Sequence, residues 1–438
     1  MKEYLQEKLS QVAHHEYFQK AFQHIPLWIA SILVGIAAVA YAKAFLYIES
    51  LSEDIIELHP LAIFIVSPIA FIFSWWLVKR FAPLSGGSGI PQVMAAIESE
   101  ETPVIVKKLL NVKVSIIKVL SSLVMLAGGG AIGREGPTIQ ISASIFTFIH
   151  NTLPKHWDKF NLQLMVITGA ASGLAAAFNT PLGGIVFAIE ELSRVHFSIF
   201  RTTLFVAVII SGMTAQGILG PYLYLGFPNV QTGDYVYILW IILTALITGI
   251  LGGLFGKSLL FIHQWKASFK TDSSRVIVII SFALIFASIY YFLDHAVIGA
   301  GKTILEDLLF INNKDVSLSM VLSRFLGPIL SFGSGGAGGI FAPSLSAGGT
   351  IGAFISILAE IPSANTNILI LAGMVGFLTG VTHSPFTSAI LVLEMTDRHS
   401  VIFYLMVAGM CAYMMSLLID KKSVYEHLKE RYLKSFQQ

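Results

Sequence analysis

Residues 128–137, GGGAIGREGP, and residues 333–343, GSGGAGGIFAP, decide how this chain folds, because each reads as a copy of the other. Both are glycine-rich runs that end in a proline, and Pro137 and Pro343 lie 206 residues apart. Each leads to a second landmark: NTPLGGIVFAIE at 179–190 and HSPFTSAILVLE at 383–394, with Pro181 and Pro385 204 apart. In both copies the proline precedes a glutamate by nine residues, Glu190 and Glu394. Two landmarks at nearly equal offset make the chain an internal repeat. Gly- and Pro-interrupted segments at matching positions of two halves point to a substrate site where the halves meet. Whether the repeats run parallel or inverted stays open at this stage.

Outward from these landmarks the chain is apolar. Of its 438 residues 55% are hydrophobic and 12% charged, and the mean hydropathy is +0.74. A soluble domain carries roughly a quarter charged residues, so this one lacks the polar surface to cover a soluble globule. It reads as an all-α polytopic membrane protein. Runs at 27–47, 60–78, 203–222, 235–263, 274–293 and 400–419 approach the ~20 residues that span hydrocarbon. Between them lie shorter apolar pieces, at 115–127, 136–152, 163–178, 181–192, 339–360, 366–381 and 385–396, many tilted or broken helices by this reading. Broken helices at membrane depth survive only where they line a polar cavity or are buried in protein.

The expected division is an amphipathic surface helix at 1–25, a first transmembrane repeat at 26–220, a second at 221–420 and a C-terminal helix at 421–438. That last segment carries five Lys/Arg against two Glu, which favours a cytoplasmic end. The first 25 residues carry three of each sign, lack the apolar core of a cleaved signal and suit an interfacial helix. The net charge of +2 gives no pointer to nucleic acid. The single cysteine, Cys411, excludes an intrachain disulfide and a cysteine metal cluster.

Three elements carry the chemistry: Gly87-Ser88-Gly89-Ile90-Pro91, Gly133-Arg134-Glu135-Gly136-Pro137 and Gly339-Ile340-Phe341-Ala342-Pro343. Each ends in a proline and opens an apolar helical run. Proline suits a first helical turn, where its missing N–H would be unpaired anyway, and glycine lets backbone amides approach a ligand. The pattern describes helix N-termini aimed at a site, where amides and the positive end of the helix dipole attract anions. A Lys or Arg beside the anion would hold it too tightly for fast turnover; partial charges from several helix ends hold it weakly enough to release. Glu135 is an acid in an apolar neighbourhood at such an end, and intramembrane acids are usually functional. Ionised, it would compete with an anion for the site; protonated, it would vacate it. Glu190 and Glu191 close the helix 181–191, followed by Arg194. Adjacent carboxylates point to different sides of a helix, so a helix-end salt bridge is expected for Glu190, with Glu394 sharing its structural role. Two patterns are set aside. Gly299-Ala300-Gly301-Lys302-Thr303 resembles a phosphate loop, but its leading glycine would fall at Ala296 and no strand precedes it. The twelve histidines form no HExxH or clustered ligand set; His383, whose repeat partner is Asn179, suits a hydrogen-bonding role better than a metal.

Taken together, GSGIP, GREGP and GIFAP match letter for letter the three signature motifs of the CLC family of chloride channels and chloride/proton antiporters, which the chain resembles over nearly its whole length. The resemblance implies an inverted-repeat helical membrane protein acting as a homodimer with one pore per subunit. It implies that the hydroxyls of Ser88 and Tyr425 (Tyr432 lies nearby) and the amides of Ile340 and Phe341 ligate the central anion, within the cradle of Gly87, Gly89, Gly133 and Gly136. Glu135 corresponds to the external gating glutamate and Glu191 to the internal proton-transfer glutamate, which channels of the family typically replace with an apolar residue. Phe178 and Phe187 match pathway-lining aromatics, and Lys118 a basic residue buried behind the site. Ser88 is the residue of chloride-preferring members, nitrate-preferring ones having proline there. Fluoride exporters depart from GSGIP and GREGP in ways this chain does not. Without regulatory cytoplasmic domains the chain looks prokaryotic, of the cell (inner) membrane with both termini cytoplasmic. The expected function is Cl−/H+ antiport, with a passive channel as the alternative. No cofactor, metal, nucleic acid or soluble partner is implied, and no constellation for an intramembrane hydrolase is visible.

Overall fold

Proline and glycine place the helix ends. The computed structural model describes residues 16–99, 102–154, 160–192, 201–220, 223–231, 236–311 and 314–437. The helices are α1 Glu16–Leu58, α2 Ile63–Phe81, α3 Ile90–Glu98, α4 Thr102–Leu109, α5 Val112–Ala127, α6 Glu135–Thr152, α7 Leu162–Phe178, α8 Pro181–Phe187 and α9 Arg201–Leu219. They continue as α10 Val236–Ser268, α11 Asp272–Phe292, α12 Lys302–Phe310, α13 Leu318–Gly333, α14 Phe341–Leu358, α15 Ser363–Thr382, α16 Pro385–Thr396, α17 Ile402–Ile419 and α18 Val424–Gln437. Among the described residues nine helices are long and apolar enough to cross a membrane.

The repeat is visible element by element. The helices α5 and α13 are both sixteen residues long, and α6 and α14 both eighteen. Near each second landmark the chain makes the same move. The helices α7 and α15 end on residues in the left-handed conformation, Asn179 at φ 57° and His383 at φ 61°. Such a cap stops a helix, and two residues later Pro181 or Pro385 starts the next.

The two halves are inverted. The carboxylate of Glu394, near the end of α16, accepts from the amides of Leu182 and Gly183 at the start of α8, at 3.0 and 2.6 Å. Its image Glu190, just past α8, accepts from the amides of Phe386 and Thr387 at the start of α16, at 3.1 and 2.6 Å. Each helix is capped at its start by an acid from the other's end, so the two lie antiparallel, related by a pseudo-two-fold axis across them. A second pair sits on the same kind of axis: Gly133 and its image Gly339 donate to each other's carbonyls, both at 2.7 Å. The amides of Ala131 and its image Ala337 are taken by Ser331 and Ser121, each from the other half.

Burial separates inner from outer helices. The apolar window of α15 is 100% buried in protein, whereas that of α17 is 28% buried. Phe403, Met414 and Leu418 on α17 and Ile65 on α2 are exposed, which suits a lipid-facing surface and no aqueous one.

One expectation differs from the structure and one falls outside the described residues. The segment 1–25 was expected to end before the first span, yet from Glu16 the chain is one helix through Pro26 to Leu58; residues 1–15 lie outside the described residues. Arg194 also lies outside them. The salt bridge expected for Glu190 therefore falls on residues outside those described; what the structure shows is Glu190 capping α16, whose first amides need an acceptor.

Candidate functional site

All three Gly/Pro elements meet at one place. The GSGIP turn is stitched to the second half: Gly87 N–H donates to Gly336 O at 2.9 Å, and Gly338 N–H to Gly87 O at 3.2 Å. GREGP is joined to GIFAP itself by the Gly133–Gly339 pair. GSGIP and GREGP touch directly: a Cβ on Gly89 would lie 2.7 Å from the Gly136 carbonyl, and one on Gly136 would fall on Ser88 Oγ. Left-handed backbone at Gly87 (φ 67°) and Gly89 (φ 109°) turns the chain so that α3 points its start at the site.

Around this junction Glu135 Oε2 is buried without a hydrogen-bond partner, and the buried hydroxyls of Ser88 and Tyr425 have none beyond each other. Buried polar groups with unused hydrogen-bonding capacity cost free energy, so their convergence marks a place built for a ligand. Both hydroxyls can donate. The first-turn amides of α14 have no intrahelical acceptor, which places the N–H groups of Phe341 and Ala342 at the site, with Ile340 as N-cap. The Glu135 carboxylate reaches across to the Ala342 amide. A negative side chain thus already rests on the helix end that would bind an anion.

Full positive charges near the site are engaged elsewhere. Lys118 is completely buried, and its Nζ donates to the Gly87 carbonyl at 2.8 Å. Arg134 Nη1 donates to Ala42 O at 3.1 Å. The anion-facing groups are therefore dipoles and hydroxyls.

Tyr425 is the first residue but one of α18 and is fully buried, while Tyr432 lies further along the same helix. The Tyr425 ring stacks on Phe341 with centroids 6.1 Å apart, and Phe341 meets Phe187 edge-on at 6.4 Å. Phe187, Phe341 and Tyr425 form a file beside the junction. Phe178 instead packs edge-on against Tyr224 at 4.9 Å.

Glu191 lies on a single π-helical turn, Ala188–Leu192, that follows α8; such turns are frequent at functional sites. It accepts a hydrogen bond from Ser384 Oγ. This partner was not foreseen, although Ser384 occupies the N-cap place of α16 that Thr180 holds for α8. Glu191 lines a cavity of about 420 Å3 together with Glu190, His383, Ser423, Glu426 and Lys429. The cavity lies beside α18, whose Lys429 is tied to Glu98 at the end of α3. Tyr425 is within electrostatic reach of both Glu191 and Glu135. The residues expected to act thus share one region, with Glu135 in the junction and Glu191 at the cavity.

Such an arrangement defines a multi-pass membrane protein of inverted-repeat architecture, with helix N-termini gathered between its halves. The chain belongs to the voltage gated chloride channel family, whose model matches residues 70–417. Among solved structures it is similar to a slow cyanobacterial Cl−/H+ antiporter, with TM-score 0.79, 23% identity and 95% of this chain and 99% of that one covered. It is also similar to a CLC-type fluoride/proton antiporter (TM-score 0.77, 19% identity, 95% and 99% covered). A eukaryotic CLC transporter aligns at TM-score 0.71 and 19% identity, over 92% of this chain and 74% of that one. At these identities the likeness is one of fold, and it confirms the all-helical CLC architecture.

Proposed function

We propose that this protein exchanges chloride for protons across the cell membrane, as a homodimer with both termini cytoplasmic. One observation carries the reading: the Glu135 carboxylate rests on the Ala342 amide at the start of α14 while the buried hydroxyls of Ser88 and Tyr425 have no partner beyond each other. A carboxylate and a chloride ion are rivals for the same donors. Protonation removes the charge that holds Glu135 there, so the side chain leaves, carrying its proton, and chloride takes its place. Return of the ionised carboxylate expels chloride and releases the proton to the other side. Glu191, hydrogen-bonded to Ser384 and lining the cavity beside α18, passes protons between the cytoplasm and Glu135. Donation by dipoles keeps the ion exchangeable, and Ser88 in place of proline favours chloride.

The experiment is a flux measurement on purified protein in liposomes. A chloride gradient should drive uphill proton movement, and Glu135→Gln should keep chloride flux while losing proton coupling. Absence of uphill proton movement in the unaltered protein would make it a passive channel. Proton pumping at the original rate in Glu135→Gln would remove Glu135 from the gate.

A further inference from the structure

The turn Gly299-Ala300-Gly301 is the image of Gly87-Ser88-Gly89. Its glycines have φ of 69° and 84°, against 67° and 109° in the first half. It opens α12, nine residues long like α3. Behind each turn stands a fully buried cation at equivalent positions of α5 and α13, Lys118 and Arg324. Lys118 donates to the Gly87 carbonyl; Arg324 donates to those of Ala296, Ile298 and Gly299 at 2.9, 3.0 and 3.2 Å, and to Ser346 Oγ at 3.0 and 2.7 Å. The protein therefore contains a second cradle with the same backbone turn, helix start and buried cation.

The second cradle differs in what lies on it. Ala300 stands where the first has Ser88, and its amide donates to Glu49 Oε1, reaching over from α1, at 2.7 Å. The same oxygen lies 2.8 Å from where a Cβ on Gly299 would sit, and Glu53 Oε1 lies 3.3 Å from it. A cavity of about 650 Å3, lined by Glu53, Glu57, Tyr290, His295, Thr303 and Asp307, adjoins the start of α12.

We propose that this second cradle is a small-anion site built on the same backbone turn and buried cation as the first but without its hydroxyl, held shut by the carboxylate of Glu49 acting as a tethered ligand. The proposal rests on the reading of the Ser88 junction as an anion site. Its physical basis is that an amide turned outward at a helix start, with a buried guanidinium behind it, favours a negative group. The chain supplies that group from α1 rather than from solution. A covalently attached ligand is present at very high effective concentration, so dissolved chloride does not displace it. Of two equivalent cradles, one exchanges its ion and the other is permanently filled, which leaves the protein a single route for anions.

Removing the carboxylate opens the second cradle to halide. Full-length Glu49→Ala and Glu49→Ser proteins are crystallised with bromide, alongside the unaltered protein, and anomalous scattering locates the ion. Thermal unfolding is titrated with chloride in parallel. The expected result is bromide at Ser88 in all three and an added peak at Ala300 in the variants alone, with a larger stabilisation of the variants by chloride. Bromide at Ala300 without bromide at Ser88 would support the second cradle and count against the first. Bromide at Ser88 alone in folded variants overturns the proposal, and bromide at neither position overturns both readings. Variants that fail to fold at any halide concentration also overturn it, since halide should replace the missing carboxylate.

Discussion

Gly133→Ala tests the contest between carboxylate and chloride without removing either acid. Gly133 is not among the left-handed glycines, so its backbone accepts alanine. The added Cβ, however, falls on Glu135 Oε2, with Ala342 Cβ and Pro343 Cδ both at 3.3 Å behind it. The backbone cannot retreat, because the two hydrogen bonds to Gly339, each 2.7 Å, fix it. The Glu135 side chain is the part that yields, and moving Oε2 aside swings the whole carboxylate off the Ala342 amide. A hydrogen bond to a charged group is worth about 1.5–3 kcal/mol. At 1.36 kcal/mol per tenfold, the balance shifts toward the vacated gate by roughly 10- to 150-fold. In liposomes, chloride efflux at neutral pH should rise toward its rate at acid pH, and protons moved per chloride should fall. A monodisperse, folded variant with unchanged efflux, pH dependence and coupling would refute the placement of Glu135 on the α14 helix end.

Glu191→Gln should abolish proton transfer and spare chloride flux; loss of both would assign Glu191 a structural role. Ser88→Pro should shift preference toward nitrate in an anion-competition flux assay, and unchanged selectivity would place Ser88 outside the filter. Lys118→Met keeps the volume but deletes the bond to the Gly87 carbonyl, so it should cost about 1.5–3 kcal/mol, read as a lower unfolding midpoint; an unchanged midpoint would make that bond dispensable. In α18 the hydrogen bond from Lys422 holds the Glu430 carboxyl below its usual range. That contribution is full above the ordinary glutamate value of about 4.3 and fades as pH falls through the lower folded-state value; it is small because the pair is partly exposed. Glu430→Gln should flatten the acid limb of the unfolding profile, and an identical limb in both proteins would discount the pair.

How far sequence reading reached depends on the residue. The glycine-proline landmarks were legible because backbone conformation demands those residue types, and their convergence followed from the repeat. The Gly299–Thr303 turn, set aside as a phosphate loop, hid its kinship with the first half for an equally physical reason. Its kinship with Gly87–Pro91 lies in two left-handed glycines, while Thr303 replaces the proline and Ala300 the serine. Composition hides what dihedral angles reveal. The kinship of Glu190 and Glu394 was visible, yet their partners were not, since backbone amides leave no trace in a sequence. The orientation of the repeats was equally hidden until the reciprocal caps appeared. Tyr425 is a harder case. It sits in a basic tail that composition assigns to the water interface, and only the resemblance to a family marked it as reaching the site.

The mutual capping of α8 and α16 bears on how the chain is made. The amides of Leu182 wait for an acceptor that is 212 residues away, and ribosomes add about 5–20 residues per second. The first half therefore spends roughly 10–40 s in the bilayer with a helix start that nothing closes. The newborn half is obliged to remain loose until its counterpart arrives, and assembly finishes as a mutual clasp rather than as two successive steps.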